Sequence, residues 1–178
     1  MSERAIIDSS AAHSGFNFVI LRYFNVAGAS IDGRLGQRIK DATHLIKVAS
    51  EAACGKRVKM SIFGDDYPTY DGSCVRDYIH VEDLASAHLS ALDYLKDGGK
   101  SDIFNCGYGK GSSVKEVINT VKKVSGVDFT VETAGRRAGD PALLVSDNSK
   151  IMATLSWKPK YDNLELICKS AYEWEKRI

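Results

Sequence analysis

Short runs of β-branched and aromatic residues alternate along this chain with longer segments that carry apolar residues at helical spacing. In the run at residues 16–24, four apolar residues at positions 18–21 follow one another without alternation, which is typical of a strand buried on both faces of a parallel sheet. Residues 103–106 have the same character, whereas residues 41–54 and 84–95 carry apolar stripes of helical period. Strands and helices that alternate in this way predict an α/β fold.

Length, charge and cysteine usage exclude several classes of protein. The chain has 178 residues, which predicts one domain, or one compact domain plus part of another. Its net charge of +1 at pH 7 argues against a sequence-independent nucleic-acid binder. Its four cysteines stand far apart and form no C-x-x-C pair, so we expect free thiols and no metal site. No membrane-length apolar run and no signal-peptide core are present. These features predict a cytoplasmic protein without nucleic-acid or membrane partners.

Capping residues locate several helix ends. Ser113 and Glu116 have the spacing of a capping box ahead of an apolar stripe, and Gly126 follows that stripe. Asp162 and Glu165 have the same spacing and predict the start of a C-terminal helix. On the helix predicted at residues 84–95, His88 falls on the apolar stripe, so we expect it to pack in the core.

A glycine-rich turn at residues 107–113 lies between a predicted strand and a predicted helix, where backbone N–H groups can bind a phosphate. Ser112 stands where a dinucleotide fingerprint needs glycine or alanine, and Gly111 stands where a P-loop needs serine or threonine. Glu132 keeps the dinucleotide alternative open, because it lies about where the ribose-binding acid would be expected. We favour a tight turn that binds no ligand.

Arginines in two separate loops are better candidates for a phosphate site. Arg136 and Arg137 lie between two glycines in a short loop, and Arg76 follows the long loop at residues 65–73. A guanidinium offers a planar pair of donors to phosphate oxygens, so two such loops could clamp a diphosphate. Taken singly, each arginine is more often a surface charge. Residues 22–25 end the first buried strand, where open α/β sheets place ligand-contacting groups.

Five longer motifs run through the chain in a fixed order: LRYFNVAGA at 21–29, HLI at 44–46, SIFGDDYPTYDGSCVRDYIHVEDLASAH at 61–88, FNCGYGKGSSV at 104–114 and RRAGDPALLVSD at 136–147. Together they resemble the C-terminal half of UDP-glucose 4-epimerases, which are extended short-chain dehydrogenases/reductases. The resemblance implies that residues 1–178 are the substrate-binding half of such an enzyme and that the N-terminal NAD-binding half is absent. The implied fold combines strands of the parent Rossmann sheet with the small substrate-binding domain.

The resemblance also implies which residues contact the substrate and the cofactor. For the nucleotide, the implied contacts are Arg76 and Arg137 to the diphosphate, Ser61 and Phe63 to uracil, Tyr78 and Asp140 to ribose hydroxyls, and His44 and Leu45 along the nucleotide. For the sugar, Asn25 would contact the hexose or its phosphate, and Leu144 stands at a position that affects whether an N-acetyl group fits. For the cofactor, Tyr23 and Phe24 would lie beside the nicotinamide. Two positions depart from the family pattern. Lys47 stands where many members have proline, and Gln37 replaces a commonly acidic residue.

Members of this family interconvert UDP-galactose and UDP-glucose through a 4-keto intermediate, with NAD accepting and returning the hydride. Their catalytic Tyr-x-x-x-Lys pair and NAD loop lie in the N-terminal half, and none of Tyr70, Tyr78 and Tyr94 has lysine four residues on. We therefore expect no catalytic residue here, no activity alone, and NAD binding only in the complete enzyme.

Two alternatives stay open. The chain could belong to another UDP-sugar 4-epimerase, for N-acetylhexosamine or pentose derivatives, or it could be a non-catalytic UDP-sugar-binding module. In either case the strands at 16–24 and 103–106 would leave apolar sheet edges. We expect those edges to be covered by the missing half or by a homo-oligomer.

Overall fold

The computed structural model describes residues 1–178 and contains both strands and helices along its whole length. In chain order the elements are α1 (Ser2–Ala12), β1 (Val19–Tyr23), β2 (Asn25–Ala27), α2 (Leu45–Ala53), β3 (Met60–Phe63), β4 (Val75–Arg76), β5 (Tyr78–His80), α3 (Val81–Lys96), β6 (Asp102–Cys106), β7 (Ser112–Ser113), α4 (Val114–Ser125), β8 (Val131–Ala134), β9 (Leu143–Leu144), α5 (Ser149–Thr154) and α6 (Leu164–Arg177). The predicted α/β class is confirmed.

The strands form small sheets in which most neighbours run parallel. β1 pairs with β6, β2 with β5 and β3 with β8, each in parallel, while β4 lies between antiparallel β7 and parallel β9. The two strands predicted to be buried on both faces, β1 and β6, therefore pair with each other. Each has one edge with no strand beside it, as expected for part of a larger sheet.

The core is apolar and lies where the helices meet the sheets. Helices α2, α4 and α6 pack against one another, and α3 packs on β1, β2 and β5. The largest fully buried side chains of the core include Trp157, Phe104, Ile79, Ile151 and Ile167. Burial of each such side chain stabilises the fold by about 1.5 to 3 kcal/mol. No helix has the length and apolarity needed to cross a bilayer.

Two of the predicted helix starts have different outcomes. The capping box of α4 is confirmed, because Ser113 Oγ accepts from the Glu116 amide at 3.0 Å and Glu116 Oε2 accepts from the Ser113 amide at 2.8 Å. The cap predicted at Asp162 is wrong. Asn163 caps α6 by accepting from the Leu166 amide at 2.9 Å, and Asp162 instead binds the Lys110 ammonium at 2.5 Å. Adjacent Asp and Asn residues can both cap a helix, so the sequence did not determine which one does.

Two further expectations about helices are corrected. The helix predicted to begin at residue 41 begins at Leu45, because Asp41 adopts φ +53° and cannot continue a right-handed helix. His88 is exposed rather than packed in the core. Its Nδ1 lies 2.8 Å from the Leu84 carbonyl, since the buried face of α3 is centred on neighbouring positions.

Candidate functional site

A cavity of about 470 Å³ lies between the start of α2, strands β3, β4 and β5, and the loop that follows β8. It brings together nine of the ten residues that we predicted to bind substrate: Asn25, His44, Leu45, Ser61, Phe63, Arg76, Tyr78, Arg137 and Asp140. The tenth, Leu144, does not line this cavity. The backbone of Leu144 is in register with Arg76 across the β4–β9 pair, and its side chain is 37% exposed.

Arg76 is a largely buried cation in the wall of this cavity, with a side chain that is 12% exposed. Its Nη2 lies 3.2 Å from Asp140 Oδ1, and its Nη1 donates to the Val75 carbonyl at 2.8 Å. These two contacts fix the plane of the guanidinium. The rest of its donor edge is available to an anion in the cavity.

The neighbouring arginines 136 and 137 have different environments. The guanidinium of Arg137 lies 3.6 Å from the centre of the Phe63 ring and forms no ion pair with a carboxylate of this chain. Arg136 instead donates to Asp66 Oδ1 at 2.6 Å and stacks on Tyr67 at 4.2 Å. This hydrogen bond raises the pKa of Arg136 and lowers the pKa of Asp66. Of these two neighbours, only Arg137 lines the cavity that holds Arg76.

The start of helix α2 also faces the cavity, which the sequence analysis missed. Thr43, His44 and Leu45 line the wall, and no side chain caps the first turn of α2. The uncapped N–H groups and the positive end of the helix favour an anion there. The motif HLI at 44–46 forms this first turn. The sequence analysis missed the helix start because it placed the motif inside a helix that begins at residue 41.

Lys47 lies in the first turn of α2, at the position where many family members have proline. Its ammonium is buried between the carboxylates of Glu51, at 3.2 Å, and Glu175. Burial opposes ionisation of Glu175, but Lys47 and Lys56 outweigh it and hold the pKa of Glu175 below its usual value. First-turn N–H groups have no acceptor within the helix, so proline and lysine are both tolerated at this position.

Two more basic residues that we did not single out, Arg57 and Lys59, line the cavity. Arg57 pairs with Glu51 and donates to the Ala42 carbonyl at 3.0 Å, while Lys59 lies 2.7 Å from Glu132. Glu132 therefore acts as the partner of Lys59. The role that we considered for it, as the ribose acid of a dinucleotide fingerprint, is not supported.

The glycine-rich turn at 107–113 binds an internal carboxylate instead of a phosphate. The Tyr108 amide donates to Asp77 Oδ1 at 3.1 Å, and the amides of Gly109 and Ser146 donate to Asp77 Oδ2 at 3.1 and 3.2 Å. Asp77 is only 1% exposed, and burial raises its pKa despite these donors. Because Asp77 already accepts from two amides of this turn, the structure favours the strand-to-helix turn over the dinucleotide alternative.

The two residues predicted to border the nicotinamide lie elsewhere. Tyr23 and Phe24 are 47% and 36% exposed, and neither lines the cavity. Tyr23 contacts the edge of the His88 ring, with 6.3 Å between centroids. Their role at a cofactor stays a prediction.

One Tyr-x-x-x-Lys spacing escaped the sequence analysis. Tyr172 and Lys176 lie on α6, where the Tyr172 ring is buried in the core and the Lys176 ammonium lies 5.3 Å above it. Neither residue lines the cavity. The pair is therefore part of the packing of α6 and not a proton-transfer site.

Comparison with known proteins decides the family. Residues 1–107 match the NAD dependent epimerase/dehydratase family. The chain belongs to this family. Over all 178 residues it is 52% identical to a UDP-glucose 4-epimerase of Azospirillum brasilense, of which it spans 51%. The chain thus spans about half the length of the curated epimerases that it matches.

Solved epimerase structures have the same fold as this chain. A UDP-Glc/GlcNAc 4-epimerase of Campylobacter jejuni is 64% identical, with a TM-score of 0.83 over 100% of this chain and 54% of that one. A UDP-glucose 4-epimerase of Bifidobacterium longum in complex with NAD⁺ and UDP is 34% identical, with a TM-score of 0.90 over 98% and 52%. The predicted fold of an extended epimerase is therefore confirmed.

Proposed function

We propose that this chain is the UDP-sugar-binding C-terminal half of a UDP-glucose 4-epimerase, which interconverts UDP-galactose and UDP-glucose in its complete form. One observation carries the proposal: Arg76 and Arg137 share a single cavity with Ser61 and Phe63. Two guanidinium groups and the start of a helix suit a diphosphate. An aromatic ring on a strand beside them suits a flat base.

The charges of the cavity support a nucleotide ligand rather than a neutral one. Arg76, Arg57 and Lys59 each have a carboxylate partner, whereas Arg137 has none. A ligand phosphate would supply the missing partner of Arg137. Binding free energy concentrated on the UDP part would leave the hexose free to turn over, which epimerisation requires.

NAD supplies the hydride chemistry of this family, and we expect this chain to hold it only together with the rest of the enzyme. We propose that the remaining length of the full-length relatives holds NAD and the catalytic Tyr-x-x-x-Lys pair. The same segment, or a second copy of this chain, would cover the open edges of β1 and β6. The four free cysteines support a cytoplasmic location.

A second candidate is a UDP-sugar 4-epimerase that also accepts N-acetylhexosamines. The C. jejuni relative is named for both UDP-Glc and UDP-GlcNAc. Leu144, at the position that the resemblance links to N-acetyl acceptance, is of intermediate size and partly exposed, so its size excludes neither substrate class. Parallel titrations with UDP-glucose and UDP-N-acetylglucosamine distinguish these two substrate classes.

The purified chain is expected to bind UDP, to contain no NAD and to show no turnover of UDP-galactose. Calorimetry with UDP, absorbance after acid release of nucleotides and a coupled assay for UDP-glucose measure these three properties. Absence of UDP binding would refute the proposal. Appreciable turnover by the chain alone would refute its assignment as the substrate-binding half.

Phe63→Ala is expected to weaken UDP binding by about 0.5 to 1.5 kcal/mol, because it removes the ring on which Arg137 stacks. Phe63 is 36% exposed, so the thermal midpoint should change little. Phe129→Ala is the matched control, since Phe129 is buried in the core and its loss should lower the thermal midpoint. An unfolded Phe63→Ala protein would show that Phe63 belongs to the core.

A further inference from the structure

The loop between β2 and α2 rests on one face of the C-terminal helix α6. Ser170, Trp174 and Arg177 have helical i, i+4, i+7 spacing, so they point to the same side of α6. Ser170 Oγ accepts from the Ala29 amide at 3.2 Å, and Arg177 donates to the Gly33 carbonyl at 3.2 Å. The helix therefore contacts this loop at several points along its length.

The central contact of this face is made by Trp174. Its indole N–H donates to the Gln37 carbonyl at 3.1 Å. Its ring lies against Gly36 so closely that a Cβ at position 36 would be 2.4 Å from ring atoms. Gly36 thus permits the approach that brings the indole within hydrogen-bond distance of Gln37.

Gln37 in turn contacts the wall of the substrate cavity. Its amide nitrogen lies 2.8 Å from Nδ1 of His44. This contact links the Gln37 side chain to the imidazole and orients the ring in the cavity wall.

The Gln37–His44 pair stands where two cavities meet. His44 lines the cavity that holds Arg76 and Arg137, and it also lines a second cavity of about 370 Å³ together with Gln37 and Gly36. A narrow recess beside Trp174 shares Asn25 with the first cavity and Gln37 with the second. Asn25 is the residue that the resemblance places at the sugar or its phosphate, so the proposed function puts the hexose at this junction.

We propose that Trp174 and Gln37 are positioning residues that hold His44 at the hexose end of the site, rather than along the nucleotide as the resemblance implies. In this arrangement they set the affinity for the sugar of a UDP-hexose without affecting UDP itself. The proposal rests on the proposed function. Trp174 acts through the Gln37 backbone, and Gln37 acts through its amide on His44.

The test compares UDP with UDP-galactose in calorimetric titrations of wild type, Trp174→Phe and Gln37→Met. Each variant is expected to raise the Kd for UDP-galactose about three- to tenfold, the effect of one hydrogen bond, and to leave the Kd for UDP within twofold. The double variant should show no more than the larger single effect, because both residues act through His44. Tyr172→Phe is the control on the same helix, since its ring faces the core.

Three outcomes would overturn the proposal: an equal change of both Kd values, no change of either, or multiplicative effects in the double variant. Equal affinity of wild type for UDP and UDP-galactose would also overturn it, because the hexose would then gain nothing from His44. If wild type binds neither ligand, the proposed function itself fails. Far-ultraviolet circular dichroism shows whether each variant is folded, and Gln37→Met tests the pair even if Trp174→Phe does not fold.

Discussion

Replacing Arg137 with alanine should weaken UDP binding by about 2 to 4 kcal/mol, the range for truncating one member of a close charge pair. Arg137 is the cation of the cavity that has no carboxylate partner, and it stacks on Phe63 at 3.6 Å. Without the Arg137 side chain, a bound phosphate would contact one guanidinium fewer and would lose the only cation of the cavity that has no carboxylate partner. Isothermal calorimetry with UDP measures the change directly.

Arg136→Ala is the matched control for this experiment. The two arginines are adjacent in sequence, but Arg136 binds Asp66 on the surface, outside the cavity. Its replacement should change UDP affinity by less than about 1 kcal/mol, as for an exposed ion pair. Arg137→Lys should fall between wild type and Arg137→Ala, because lysine keeps the charge without the planar fork. Unchanged affinity in Arg137→Ala would remove this residue from the diphosphate site.

Asp83→Ala should destabilise the protein by about 3 to 5 kcal/mol, since several buried donors lose their acceptor at once. Asp83 lies on α3 and is 1% exposed. Its carboxylate accepts from the Tyr108 hydroxyl at 2.6 Å and from the amides of Lys160 and Tyr161 at 2.8 Å each. It therefore joins α3 to the turn after β6 and to the segment before α6. Urea unfolding followed by circular dichroism gives the free energy difference.

Two further variants separate this effect from a general loss of charge. Asp93→Ala removes an exposed carboxylate from the same helix and should change stability by less than about 0.5 kcal/mol. Tyr108→Phe removes only the hydroxyl shared by Asp83 and the His80 amide, so its cost should be about 1 to 2 kcal/mol. If Asp83→Ala were as stable as Asp93→Ala, the buried carboxylate would not hold these segments together.

Local sequence patterns predicted most of the elements but not their exact limits. The strands β1 and β6 and the capping box of α4 were readable because apolar runs and cap spacing are local signals. The predicted burial of β1 on both faces is wrong for this chain, because none of its five residues is buried. The start of α2 was not, since the left-handed conformation of Asp41 interrupts the chain ahead of the helix and a non-glycine residue gives no local signal of it. The pairing of β1 with β6 was also hidden, because the partner of a parallel strand depends on distant parts of the chain.

Local patterns likewise predicted only some of the features of the candidate site. Residue type and flanking glycines indicated arginines 76, 136 and 137 as phosphate ligands, but not that Arg136 would bind Asp66 instead. The resemblance to epimerases narrowed the choice to Arg76 and Arg137. Buried carboxylates were the features missed: an aspartate such as Asp77 has the same local signature whether it is exposed or accepts three amides.

The way the strands pair has a consequence for how the chain acquires its structure. Phe18 and Ser101, which meet beside the β1–β6 pair, are separated by 83 positions, and the chain contains no hairpin between consecutive strands. Large loops must therefore close before any ladder of backbone hydrogen bonds can form. The chain loses conformational entropy on closing each loop before it gains the strand contacts that offset this loss. During synthesis on the ribosome, helices such as α1 can form as soon as they emerge, whereas the early strands wait for partners that are translated much later.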